Sequence, residues 1–216
     1  MSLQIFNSFS LKIIMTILMV IDHIGQFIPG TPPYFRWIGR IVAPVFFFLL
    51  TEGYDHTKDK LAYIKRLFKC AIIMFAGNLV LWFIFKEESF ITNNIFFTLA
   101  VNLAILVIID DKEKRKKNIF LLVVLIAFAS LAEGSLMATA LIMIFFYLKH
   151  NKLKLSIAYI VVSLLLIPNI QWMQVFALPF ILMYNGKRGP DFKKFFYIFY
   201  PIHIWILFLI GHFLSI

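Results

Sequence analysis

Nine apolar runs follow one another along this chain with little between them except short clusters of lysine and arginine, and that alternation narrows the fold more than any motif does. The runs cover about 11–28, 35–52, 64–85, 95–110, 118–133, 135–148, 154–168, 171–185 and 195–213. A helix needs roughly 20 residues to cross the hydrocarbon of a bilayer. In lipid every backbone N–H and C=O must find its partner within the protein, which leaves helices and closed barrels as spanning structures. The reading is therefore an all-α polytopic membrane helix bundle of about nine transmembrane helices; a re-entrant break around Gly134 would reduce the count to eight. Composition agrees, since 62% of the residues are hydrophobic and only 15% are charged, where a soluble domain is nearer half and a quarter. No polar stretch is long enough for an extramembrane domain, so residues 1–216 are expected to form one integral domain.

The basic residues supply a second reading of the same pattern. Between runs two and three stand Lys58, Lys60, Lys65, Arg66 and Lys69, and between four and five stand Lys112, Lys114, Arg115, Lys116 and Lys117. Lys149, Lys152 and Lys154 follow run six, Lys187, Arg188, Lys193 and Lys194 follow run eight, and Lys12 precedes run one. Nine spans put all 21 basic residues on one side except Arg36, Arg40 and Lys86. Lysine and arginine collect in cytoplasmic loops, so the amino terminus is expected to be cytoplasmic. The net charge of +10 is thus spent beside anionic lipid, and no nucleic-acid partner is expected. The first run lacks a small-residue cleavage site and is interrupted by Asp22 and His23, so it reads as a retained span and not a cleaved signal. A single cysteine, Cys70, excludes an internal disulfide and a multi-cysteine metal site.

Against this background the polar residues inside apolar runs stand out. Asp22, His23 and Gln26 lie in the second half of run one, and Arg36 and Arg40 open run two from the same side. A carboxylate at membrane depth costs about 2.5 kcal/mol or more and normally faces a protein interior, which marks it as functional by default; the alternative is a structural clamp between helices. Arg40 either pairs with Asp22, holds an anionic substrate group, or snorkels outward. Gly39 and Ala43, four apart, let another helix come close. Glu52 and His56 share a helical face at the other end of run two; no second such pair accompanies them, so the expectation there is a polar mouth suited to phosphates and no metal. Asn94, Thr98 and Asn102 form a stripe that either lines a substrate path or ties helices together. Gln174 stands in run eight, Asn185, Lys187 and Arg188 in the turn after it, and Tyr200 and His203 share a face beside Pro201 in the last run.

Several of these stretches carry a family resemblance. Met19-Val20-Ile21-Asp22-His23-Ile24-Gly25, Ile38-Gly39-Arg40-Ile41-Val42-Ala43-Pro44-Val45-Phe46 and Glu52-Gly53-Tyr54-Asp55-His56-Thr57 resemble the TraX family. So do Phe97-Thr98-Leu99, Ala177-Leu178-Pro179, Tyr184-Asn185-Gly186-Lys187-Arg188-Gly189 and Phe199-Tyr200-Pro201-Ile202-His203. Glu133-Gly134-Ser135-Leu136 departs from the family's Asp-Tyr-Gly-type run, which leaves the role of Glu133 open. The resemblance implies a multi-span membrane acyltransferase. The best-known relative acetylates the amino terminus of pilin, and more distant kin modify sugars and lipids with cytoplasmic acyl-CoA.

Together these readings give an expected function. In a bacterial cell membrane, an acyl group, acetyl from acetyl-CoA first among them, moves to an amine or hydroxyl of a membrane or exported acceptor. His23 is the expected base, with Asp22 or another carboxylate orienting it. Arg40 stabilises negative charge, and Tyr200 and His203 complete the catalytic set. Arg36, Gln26, Asn94, Thr98, Glu52, His56, Gln174, Asn185, Lys187 and Arg188 are the expected substrate-binding residues; Arg188, Lys187 and Lys58 are placed to hold the donor's phosphates. Membrane lipid, acyl-CoA and the acceptor are the expected partners. The competing class is a small transporter or flippase for an anionic solute that uses the same charges, and a haem or quinone subunit with His23 and His203 as ligands is a third.

Overall fold

The structure, a computed structural model, describes residues 4–86 and 90–215, and among them every regular element is helical. The elements are α1 (Ser8–Phe27), α2 (Tyr34–Gly39), α3 (Val42–His56), α4 (Lys60–Phe85), α5 (Ile95–Ile109), α6 (Lys112–Lys117), α7 (Ile119–Leu131), α8 (Ser135–Leu148), α9 (Lys152–Leu164), a 3-10 helix (Ile170–Ala177), α10 (Leu178–Leu182) and α11 (Lys193–Leu214). Each apolar run of the sequence thus carries helix, but not every one is long enough for the expected count of about nine spans. Among the described residues, four helical stretches are long and apolar enough to cross a membrane: Ser8–Phe27, Tyr34–His56, Lys60–Phe85 and Lys193–Leu214. The pair α7 and α8 supplies a fifth if it is one span, bent by 118° at Ala132-Glu133-Gly134. Gly134 allows that corner by taking a φ of +81°, a left-handed backbone open to glycine. The 15 residues of α5 extend only about 22 Å, short of a ~30 Å hydrocarbon core. Hydropathy marks an apolar run whatever its depth, so it does not separate a full crossing from a shorter buried helix.

The helix ends follow local chemistry. Asn7 and Ser10 form a reciprocal capping box at the start of α1, each side chain serving the other's backbone N–H at 2.8 and 2.9 Å. The next two N–H groups, of Ser8 and Phe9, donate to the carbonyls of Lys187 and Arg188. The Asn-Gly-Lys-Arg turn therefore closes the first turn of α1. Ile28 is extended because Pro29 follows it. Between α2 and α3 the helix breaks at Arg40 and Ile41, where Pro44, four residues on, has no N–H for the Arg40 carbonyl and its ring would strike it. Asp59, Asn94, Asp111 and Asn151 cap α4, α5, α6 and α9 with their side chains.

The chain divides into two compact units, one of Leu50–Met143 and one of the segments on either side of it. In the Leu50–Met143 unit, α5 is apolar except for the buried Thr98 and Asn102 and is buried along most of its length, with Val101, Ile105 and Ile108 packed on Leu122, Leu125 and Ala129 of α7. Near the ends of that unit's helices the Tyr54 hydroxyl donates to Asp110 at 2.6 Å, and the Lys60 amine lies over the Tyr54 ring. In the other unit the core gathers around Leu11, Met15, Val45, Phe145, Tyr159 and Ile204, all fully buried. Large apolar side chains on α4 and α7 point outward instead, Phe83 at 65% and Phe120 at 80% exposure, a surface suited to lipid and costly in water.

Candidate functional site

Asp22 and His23 are neighbours in α1, and a helix turns about 100° per residue, so the two side chains face different partners. Asp22 faces α2. A Cβ placed on Gly39 would fall within the Asp22 carboxyl, so only glycine leaves this carboxylate its seat. Gly25 repeats the close approach one turn on, where a Cβ would come within 2.8 Å of Phe35 Cβ. Two guanidiniums hold the seated carboxylate: Arg36 Nη1 lies 2.8 Å and Arg40 Nη2 3.2 Å from Asp22 Oδ1. Arg36 Nη1 also donates to the Asp22 carbonyl and to Gln26 Oε1, each at 3.1 Å, and Arg40 Nε donates to the Arg36 carbonyl at 2.9 Å. Two cations share one carboxylate, so the set carries a net charge of one positive.

His23 faces α11 and is buried, as are Tyr200 and His203. His23 Nδ1 and His203 Nε2 lie 2.7 Å apart with their rings nearly stacked, and His203 Nδ1 lies 2.9 Å from the Phe199 carbonyl. A carbonyl only accepts, so His203 Nδ1 must carry a hydrogen. In the neutral pair His203 Nε2 is then an acceptor, and His23 Nδ1–H donates to it. The chain of bonds puts the lone pair of His23 on Nε2, the tautomer a general base needs. The Phe199 ring stacks on His203 at 5.0 Å and Tyr200 meets both imidazoles edge-on, which holds the pair in register. His203 therefore occupies the position where a carboxylate was expected beside His23, and Asp22 serves the arginines.

The other sequence-derived candidates are placed as follows. Gln174 is buried on the 3-10 helix; its backbone carbonyl accepts the Tyr159 hydroxyl at 2.6 Å, and its side-chain amide nitrogen has no hydrogen-bond partner among the described residues. Asn185 closes its own turn on the Lys187 N–H, Lys187 is exposed, and Arg188 pairs with Asp191. Asp191 itself is held below the usual carboxylate range: desolvation pushes it up, but the Lys193 N–H and the charges of Arg188 and Lys193 outweigh that. Glu52, His56, Asn94 and Thr98 belong to the Leu50–Met143 unit. There His56 reaches back to the Glu52 carbonyl at 2.8 Å, Asn94 donates to the Ala71 carbonyl, and Thr98 donates to the Glu133 carbonyl. Glu133, whose role the sequence left open, accepts the Asn94 N–H at the start of α5 at 2.8 Å. Phe199 was not named among the site residues from the sequence, although its place four residues before His203 on one helix face was a legible signal.

Long apolar helices, with their ionisable groups drawn inward onto one another, define an all-helical membrane protein with a buried polar centre. The chain belongs to the TraX family, whose TraX protein pattern matches residues 8–211. It is 27% identical over 235 residues to a probable fimbrial assembly protein FimC, serogroup H1, of Dichelobacter nodosus, with 94% of each chain covered. No solved structure matches the chain.

Proposed function

We propose that this protein is a multi-pass acyltransferase of the bacterial cell membrane that moves an acyl group, acetyl from acetyl-CoA first among them, to an amine or hydroxyl of a membrane or exported acceptor. The hydrogen-bonded pair of His23 and His203 carries the reading, because it fixes the tautomer of a general base buried between two long helices. His23 Nε2 takes the proton of the acceptor as its nitrogen or oxygen attacks the thioester carbonyl carbon. The carbon–sulfur bond then breaks, and the departing thiolate takes that proton from the imidazolium. Arg36 and Arg40, with one positive charge left over after Asp22, favour the developing oxyanion and any anionic group of the acceptor. Lys187, exposed beside Arg188 in the turn that caps α1, suits the donor's phosphates. Membership of a family that includes a fimbrial assembly relative supports a pilin-like acceptor.

The proposed orientation keeps the amino terminus in the cytoplasm. α1 and α11 run parallel, since Phe9 meets Phe192 and Phe196 at one end while Phe27 meets Phe208 at the other. Parallel first and last spans favour an odd number of crossings, in keeping with nine and against eight. The basic residues around Lys12 and Lys187 then share the cytoplasmic end.

Acyl transfer by purified protein, followed by mass spectrometry of the acceptor, tests the chemistry. His23→Ala should lower kcat by about 10²–10⁴ while the protein remains folded and inserted. His203→Ala, which removes only the group that sets the tautomer, should lower kcat by about 10–100 with KM unchanged. Wild-type turnover by His23→Ala would overturn the assignment.

A further inference from the structure

An apolar groove of about 370 Å³ runs along the seam of α1 and α11, lined by Ile13, Thr16, Ile17, Val20 and Ile21 on one side and Phe195 and Phe199 on the other. It opens outward, with Ile17 57% exposed, and the Phe199 ring in its lining also stacks on His203. From Ile13 to Ile21 it covers about 12 Å of helix, close to the ~15 Å depth of one leaflet's hydrocarbon. Its lining offers almost no polar surface, so an occupant with amides along its length would leave them unpaired, whereas an alkyl chain loses nothing.

The end of the groove at Ile13 and Phe195 is basic. Lys12 precedes Ile13 and Lys193 stands two residues before Phe195; the charges of Arg188, Lys193 and Asp191 all act on Lys12. Asp191, the acid in this group, is already taken by Arg188 and Lys193. The Lys12 amine rests 5.9 Å from the centre of the Phe196 ring and forms no ion pair among the described residues. A fixed anion is what three cations around one satisfied carboxylate lack.

We propose that this seam is a binding site for an anionic glycerophospholipid of the adjoining leaflet. Its phosphate is held by Lys12, Lys193 and Arg188, and one acyl chain lies in the groove against Phe199. The cytoplasmic leaflet is rich in such lipid, and the chain reaches the ring that holds His203, so lipid occupancy would steady the histidine pair. The inference uses the orientation proposed above but not the acyl-transfer chemistry, and its test needs no turnover.

Native mass spectrometry of the full chain, purified in detergent with equal phosphatidylglycerol and phosphatidylcholine, reads the site directly. Wild-type protein and His23→Ala should each retain one phosphatidylglycerol in preference to phosphatidylcholine. The Lys12→Gln/Lys193→Gln double variant should lose that preference about tenfold, Lys12→Arg/Lys193→Arg should keep it, and Val20→Trp, which fills the groove, should reduce retention of either lipid. Equal retention of the two lipids by wild type, or wild-type preference in the double glutamine variant, would overturn the proposal. So would displacement of phosphatidylglycerol by coenzyme A, which would give the site to the donor instead.

Discussion

Gly39 shows how much a single atom decides in this protein. Its missing Cβ is the space that the Asp22 carboxyl occupies, and that carboxyl is the shared partner of Arg36 and Arg40. Gly39→Ala should therefore push Asp22 out of its seat and cost about 1–3 kcal/mol through overpacking, read as a lower midpoint of thermal unfolding in detergent. Gly30→Ala supplies the contrast in space, since nothing lies within 4 Å of that position, although its left-handed φ of +76° keeps a smaller backbone cost. A result in which Gly39→Ala is as stable as wild type would mean that α1 and α2 cross less closely. The Asp22–Arg40 pairing was legible beforehand, because a charge at membrane depth needs a partner and few were available. The contact of His23 with His203 was not, because 180 residues separate them and no periodicity reports which buried helix faces meet.

At the scale of elements, α1 and α11 depend on glycine in the same way. A Cβ on Gly211 would strike the Phe27 carbonyl, which is backbone and has nowhere to go. Gly211→Val should pry the two helices apart at that end, lengthening the 2.7 Å bond between His23 and His203. Acyl transfer should then fall while the protein still inserts; unchanged turnover would show that the spacing of the pair does not govern the rate. The end of α1 was readable from Pro29, whereas the α2–α3 break went unread inside a run taken as continuous from 35 to 52, although Pro44 removes a donor and restricts its neighbours whatever the surroundings. The 118° corner between α7 and α8 was foreshadowed only as a break near Gly134. Its angle comes from how the helices pack, which hydropathy does not encode.

For the whole molecule, the proposed orientation makes a prediction about access. In a Cys70→Ser background, Thr31→Cys should react with a membrane-impermeant maleimide on intact cells, while Lys187→Cys and Lys114→Cys should react only after the membrane is opened. Labelling of position 187 from outside would invert the topology, and with it the side from which the donor enters. Apolar runs, basic clusters and intramembrane charges determined by themselves that the chain is helical, lies in a membrane and draws Asp22, His23, Arg40 and His203 inward. These follow from transfer energies that each residue pays wherever it sits. Tertiary structure alone decided that His203 partners His23 while Asp22 partners the arginines, that α1 and α11 run parallel, and that a groove is left between them. Those facts depend on which helix faces meet and how closely, a matter of shape between segments far apart in the chain.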